Sequence, residues 1–260
     1  MAATAPIHMH PIVLQNASLS EFLRYIVEHH AVTTTLIVCS SREAFLNQLH
    51  ATLSARESNA QDGTGDQAGV QSDASEDLYT NASLDFLLTP TLHLLASCRT
   101  IQLVFCPELP NLHAFLSAHI AGSSSFPTGA KDEKCVPTLA ILNSIAVHRN
   151  TSAFSAQGLS RTFALAVEAA YRVGQKLVVV EYPTAPQRPA SDLGAGLEEF
   201  EVNITRPGER GEPWEEEISI LNVTTRRFGA GERGWVGRTV KVRTVMERWC
   251  AFEGLPDPFR

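Results

Sequence analysis

The chain has 260 residues, 44% of them hydrophobic and 19% charged, with a net charge of −7. That apolar content can bury a sizeable core, which excludes wholesale disorder. The apolar runs all fall short of the roughly 18 residues a membrane span needs, so no membrane partner is expected. The charge is uneven: residues 1–130 hold 4 Lys/Arg against 11 Asp/Glu, leaving −7, whereas residues 131–260 hold 17 of each. Within the second half, residues 198–217 are acidic (2 basic, 8 acidic) and residues 218–250 basic (7 basic, 2 acidic). A polyanion-binding surface over the whole protein is excluded; a local basic face is not.

The first residues, MAATAPIHMHPIVL, lack the basic and apolar regions of a secretory signal. The sequons at Asn16, Asn81, Asn150, Asn203 and Asn222 are therefore read as chance. Cys39, Cys98, Cys106, Cys135 and Cys250 are odd in number and show no CxxC spacing. They read as reduced thiols of a cytosolic or nuclear protein.

Taken in order, a short apolar run at 11–14 leads through Ser18, with Glu21 completing a capping box, into a helix over 19–29. Residues 33–39 are a β-branched strand, and Ser40 or Ser41 caps a helix over 42–53. Residues 54–83, rich in Ser, Gly, Asp, Gln and Asn, read as a flexible insertion. A helix over 84–97, interrupted near Thr89-Pro90, precedes a strand at 101–106 and a helix at 111–120. Residues 121–136 form a second flexible loop.

Residues 138–183 carry the clearest signal. Two continuous apolar strands, 139–142 and 177–180, flank a helix whose stripe is Leu159, Phe163, Ala166, Val167, Ala170 and Val173, with Gly174 as its C-cap and Ser160 as its N-cap. Such a βαβ unit implies a parallel sheet covered by helices. Residues 200–205, 218–224 and 239–246 alternate with period 2, as antiparallel strands do. The whole reads as one α/β domain over 1–260: a doubly wound, mostly parallel sheet flanked by helices, with an antiparallel β extension at its end.

Three local patterns bear on chemistry. In a parallel sheet, a polar residue ending an apolar strand is where a nucleotide-hydrolysing enzyme keeps a metal-binding Asp; here it is Asn143, followed by Ser144. Gly229, Gly231 and Gly234 satisfy GxGxxG, but a strand pattern follows them, so they read as a hairpin loop. That hairpin carries Arg226, Arg227, Arg233, Arg238, Lys241 and Arg243 with Trp235, the components of a backbone-phosphate and base-stacking contact. The alternative is a solvated hairpin that pairs with the acidic run 198–217 or with a partner subunit. The histidines, His148 among them, show no metal-ligand spacing, so no metal site is expected.

The segment 138–183 resembles the core of the RecA-like recombinase family, including its eukaryotic paralogs, through Asn143-Ser144, His148-Arg149, Phe154-Ser155, Gly158 to Arg161, the helix and the strand that ends at Glu181. The chain departs from that family in having no GxxxxGK[ST] phosphate loop: only Gln15-Asn16-Ala17-Ser18 joins the first strand to the first helix. The resemblance thus implies a non-catalytic RecA-like subunit, a degenerate nucleotide site at Asn143 and Ser144, and no cofactor. Its implied partners are other RecA-like subunits and nucleic acid, DNA first, at the basic hairpin. The implied setting is a nuclear recombinase-paralog complex of the Shu type acting in homologous recombination and DNA repair, with the cytoplasm as the other compartment. The alternatives are the RecA-like ring of the Elongator tRNA-modifying complex, and an ATPase with an unrecognised phosphate site.

Overall fold

The computed structural model describes residues 10–15, 17–29, 33–61, 89, 91–122, 136–149, 151–182, 212–221 and 238–255. In chain order the elements are β1 (Ile12–Gln15), α1 (Leu19–His29), β2 (Thr34–Val38), α2 (Arg42–Gln61), α3 (Leu92–Cys98), β3 (Ile101–Phe105) and α4 (Leu109–Gly122). There follow β4 (Thr138–Leu142), α5 (Ala146–Arg149), α6 (Ala156–Val173), β5 (Lys176–Val180), a 3₁₀ turn (Pro213–Glu215), β6 (Glu217–Ser219), β7 (Thr239–Lys241), α7 (Val242–Met246) and β8 (Ala251–Gly254).

Six strands form one sheet in the order β3-β2-β4-β5-β1-β8, every pairing parallel, while β6 and β7 make a separate antiparallel ribbon. The strands read as unbroken apolar runs because both faces are covered. Ile37, Leu139, Ile141, Leu177 and Val179 pack with α4, α6 and α7 on one face. Leu36, Val38, Ala140, Leu142, Val178 and Val180 pack with α1 and α2 on the other. The chain moves toward β3 over the α1/α2 face and back over the α4/α6 face, as right-handed crossovers require of a doubly wound sheet.

Several local readings hold. Ser18 and Glu21 close the capping box, Ser18 N–H donating to Glu21 Oε2 at 2.8 Å and Glu21 N–H to Ser18 Oγ at 3.3 Å. Ser41 is the cap of α2, its hydroxyl accepting from Ala44 N–H at 3.1 Å. Gly174 ends α6 in the left-handed region with φ 69°, where a Cβ would be strained.

Others are corrected. Helix α6 starts at Ala156, and its N-cap is Ser155, extended at φ −152° and accepting from Gly158 N–H; Ser160 lies inside the helix. Helix α2 runs on to Gln61, into the segment read as an insertion, whose residues 62–83 lie outside those described. Residues 242–246 are helix rather than strand, because Val242, Val245 and Met246 bury at i, i+3, i+4 spacing. The last strand, β8, joins the parallel sheet beside β1. The expected strand at 200–205, most of the loop at 121–136 and the glycine motif at 229–234 lie outside the described residues.

Candidate functional site at the carboxyl edge of the sheet

In an open α/β sheet a ligand crevice forms where neighbouring strands send the chain in opposite directions. Here that point lies between β2, which leads on to β3, and β4, which leads the other way to β5. The residues just past these strand ends are Cys39 after β2, Asn143 and Ser144 after β4, Glu181 and Tyr182 after β5, and Cys106 after β3. All are buried.

Asn143, the residue where a metal-binding Asp was sought, takes φ 60°, a conformation that Asn tolerates better than most side chains. Its amide oxygen accepts from Tyr182 N–H at 3.1 Å, and its own N–H donates to the Val180 carbonyl at 2.9 Å. Asn143 is thus a clamp between the ends of β4 and β5. Ser144 donates its hydroxyl to Glu181 Oε1 at 2.8 Å, and Ile145 N–H donates to the same oxygen at 2.6 Å. Burial pushes the Glu181 carboxyl up to about 7, against the Ile145 N–H, the Ser144 hydroxyl, the Arg149 guanidinium and the Ala146 N–H, which all favour its charged form. Burial also raises the Cys39 thiol, with Glu181 and Cys106 adding to it.

The network extends inward. His148 Nδ1 lies 2.8 Å from the Ser144 carbonyl and its Nε2 lies 2.9 Å from Thr162 Oγ1, which is also 2.7 Å from His113 Nε2. A carbonyl only accepts, so His148 carries its proton on Nδ1, and its neutral Nε2 at 2.9 Å competes for the Thr162 hydroxyl with the Gly158 carbonyl at 3.3 Å. The Thr162 oxygen then accepts the Nε2 proton of His113. Burial holds both imidazoles below the usual histidine range, helped at His113 by Arg161, so the neutral forms this pattern needs are favoured. One chain of hydrogen bonds therefore links the ends of β4 and β5 to α5, α6 and α4.

Of the residues expected to matter, the structure brings Asn143 and Ser144 together with Glu181, Tyr182 and His148. Glu181, Thr162 and His113 were not singled out from the sequence. The one signal for Glu181 was a carboxylate directly after an apolar strand. Of the basic hairpin, Arg226, Arg227, Arg233 and Trp235 lie outside the described residues. Lys241 pairs with Glu215 at 2.7 Å; Arg243 pairs with Glu247 at 3.0 Å and sits 4.6 Å from the Phe252 ring centre. Arg238 is exposed. Among the described residues, no three His, Cys, Asp or Glu side chains group as a metal site, and no helix is long and apolar enough to cross a membrane.

Fold and site together define a doubly wound α/β protein whose sheet edge is closed by its own buried polar network. The profile of the SPAC22G7.03-like family matches residues 9–182, and the chain belongs to that family. The matched span runs from the approach to β1 through Tyr182, so it holds the whole network and leaves β6, β7 and β8 beyond it. No curated protein matches the sequence.

Proposed function

We propose that this chain is a non-catalytic RecA-like subunit of a nuclear recombinase-paralog complex, contributing protein and DNA contacts rather than ATP hydrolysis to recombinational repair. The observation that carries the reading is the start of α1. Only residues 16–18 separate β1 from α1, too few for an eight-residue phosphate loop. Amides at this helix start are engaged by Ser18 and Glu21 of the chain itself, so a phosphate would meet a carboxylate of its own sign. Asn143 adds support, since its side-chain oxygen is spent on Tyr182 N–H and carries no charge for Mg²⁺. The doubly wound sheet and the resemblance over 138–183 supply the RecA-like element of the proposal.

The test is to isolate the tagged full-length chain from its native cells and identify co-purifying proteins by mass spectrometry. Recombinase or paralog subunits support the reading. Elongator subunits would move the chain to tRNA, and recovery of neither overturns it. Nucleic-acid contact is tested separately. Replacing Arg226 and Arg227 together by alanine should weaken binding to oligo-dT and flatten the slope of log K against log salt by about 1.4, two phosphate contacts' worth. An unchanged slope removes the hairpin from the contact.

A further inference from the structure

Between the first turns of α6, the end of β6, β7 and α7 lies a cleft of about 320 Å³. Its apolar lining is aliphatic: Ile220, Leu221, Val240 and Val245. Ile220 is 39% exposed and Leu221 53%, so two large apolar side chains meet water inside a concavity. The walls are held by hydrogen bonds. Gln157 N–H donates to the Ile220 carbonyl at 3.2 Å, and Ile220 N–H to the Arg238 carbonyl at 3.1 Å. The Trp249 indole N–H donates to Ser160 Oγ at 3.4 Å. Gln157, Ser160, Thr244 and Arg248 supply the polar part of the lining, and a preformed cleft of apolar and polar groups is the ordinary form of a binding site.

The charge around it is one-sided. Arg248 lines the cleft, and among the described residues no acidic side chain does. Arg238 stands opposite Ile220 across the ribbon. Nearby Arg149, Lys241 and Arg243 are each neutralised, by Glu216, Glu215 and Glu247. Arg238 and Arg248 are exposed and have no ion pair among the described residues. The unpaired Arg248 guanidinium in the lining, with Arg238 at the position across the ribbon from Ile220, is complementary to carboxylates flanking an apolar side chain.

We propose that this cleft docks a short acidic segment of a partner protein, seating one large apolar side chain on Ile220, Leu221, Val240 and Val245 while Arg238 and Arg248 hold flanking carboxylates. Nucleic acid would also suit the arginines, but among the described residues the lining offers no aromatic ring on which a base could stack. The aliphatic floor therefore favours a peptide. The inference goes beyond the recombination reading and stands or falls without it, since the pull-down reads who the partners are and the following titration reads what this cleft binds.

The full chain is titrated by fluorescence anisotropy with a labelled peptide bearing a central leucine and phenylalanine flanked by glutamates. The same peptide with lysines for glutamates, and oligo-dT, serve as comparators. The acidic peptide should bind and the lysine peptide should not. Leu221→Asp and Arg248→Glu, both at exposed positions, should each weaken the acidic peptide about tenfold or more with the unfolding midpoint unchanged. Arg248→Glu should also admit the lysine peptide. No binding by the native chain, or binding by both variants as tight as the native chain's, overturns the proposal. So do two other results in the variants: loss of oligo-dT binding without any peptide binding, which would assign the cleft to nucleic acid, and loss of self-association, which would assign it to a second copy of the chain.

Discussion

Gly158→Ala is expected to destabilise this chain by about 2 kcal/mol or more, measured as a lower urea midpoint with an unchanged slope. The sign is not obvious, since alanine inside a helix ordinarily gains about 1 kcal/mol over glycine. Here the steric term wins. A Cβ at Gly158 would run into the Ala153 carbonyl oxygen and lie 2.9 Å from its carbon. The obstacle is backbone, so no rotamer change relieves it. Nor is the turn free to retreat: Thr151 N–H donates to the His148 carbonyl at 2.8 Å and Ser155 N–H to the Ala153 carbonyl at 2.8 Å. Any shift would also pull on the Ser155 cap, which accepts from Gly158 N–H, and then on Thr162 one turn later. A variant as stable as the native chain would mean that the 151–155 turn does not press on α6.

The parallel sheet was legible because the physics behind it is local. Strands buried on both faces must be apolar at every position, and residues 139–142 and 177–180 are. The capping box at Ser18 and the left-handed cap at Gly174 follow from chemistry within four residues. What could not be read depends on distant partners. Ser160 looked like a cap by its neighbours, yet Ser155 takes the role because the turn before it folds against Gly158. Residues 242–246 alternate well enough for a strand, but what decides is the core over α6, which Val242, Val245 and Met246 enter at helical spacing. The site shows the same division. Asn143 and Ser144 could be singled out from the strand they end. Their partner Glu181 is 37 residues away from Ser144 in sequence, and the Thr162 hydroxyl shared by His148 and His113 joins three elements that no spacing rule connects.

Replacing Glu181 by glutamine should remove a pH dependence that the native chain shows. In the folded protein this carboxyl is pushed up to about 7 from an ordinary value of 4.5. The folded state therefore holds the proton more tightly than the unfolded one. The stabilisation so gained is complete below about pH 4.5 and is lost as pH rises through about 7. At 1.36 kcal/mol per pK unit the whole swing is about 3 kcal/mol. His148 and His113 act in the opposite sense, because their folded values are lowered: their contribution is present above about pH 6.5 and is lost as pH falls through the folded values. Both histidines remain in the glutamine variant, so the difference between variant and native chain isolates Glu181. The glutamine oxygen can still accept from Ser144 Oγ and Ile145 N–H, but its amide brings buried donors that cost about 1 kcal/mol. At pH 8 the variant should be the more stable of the two by about 2 kcal/mol, and near pH 4.5 it should be equal or slightly weaker. Urea midpoints at these two pH values decide the matter. Parallel pH profiles for the two proteins would mean that Glu181 titrates as an ordinary carboxylate, and that Ser144 and Ile145 donate to a charged oxygen at the closed edge of this sheet.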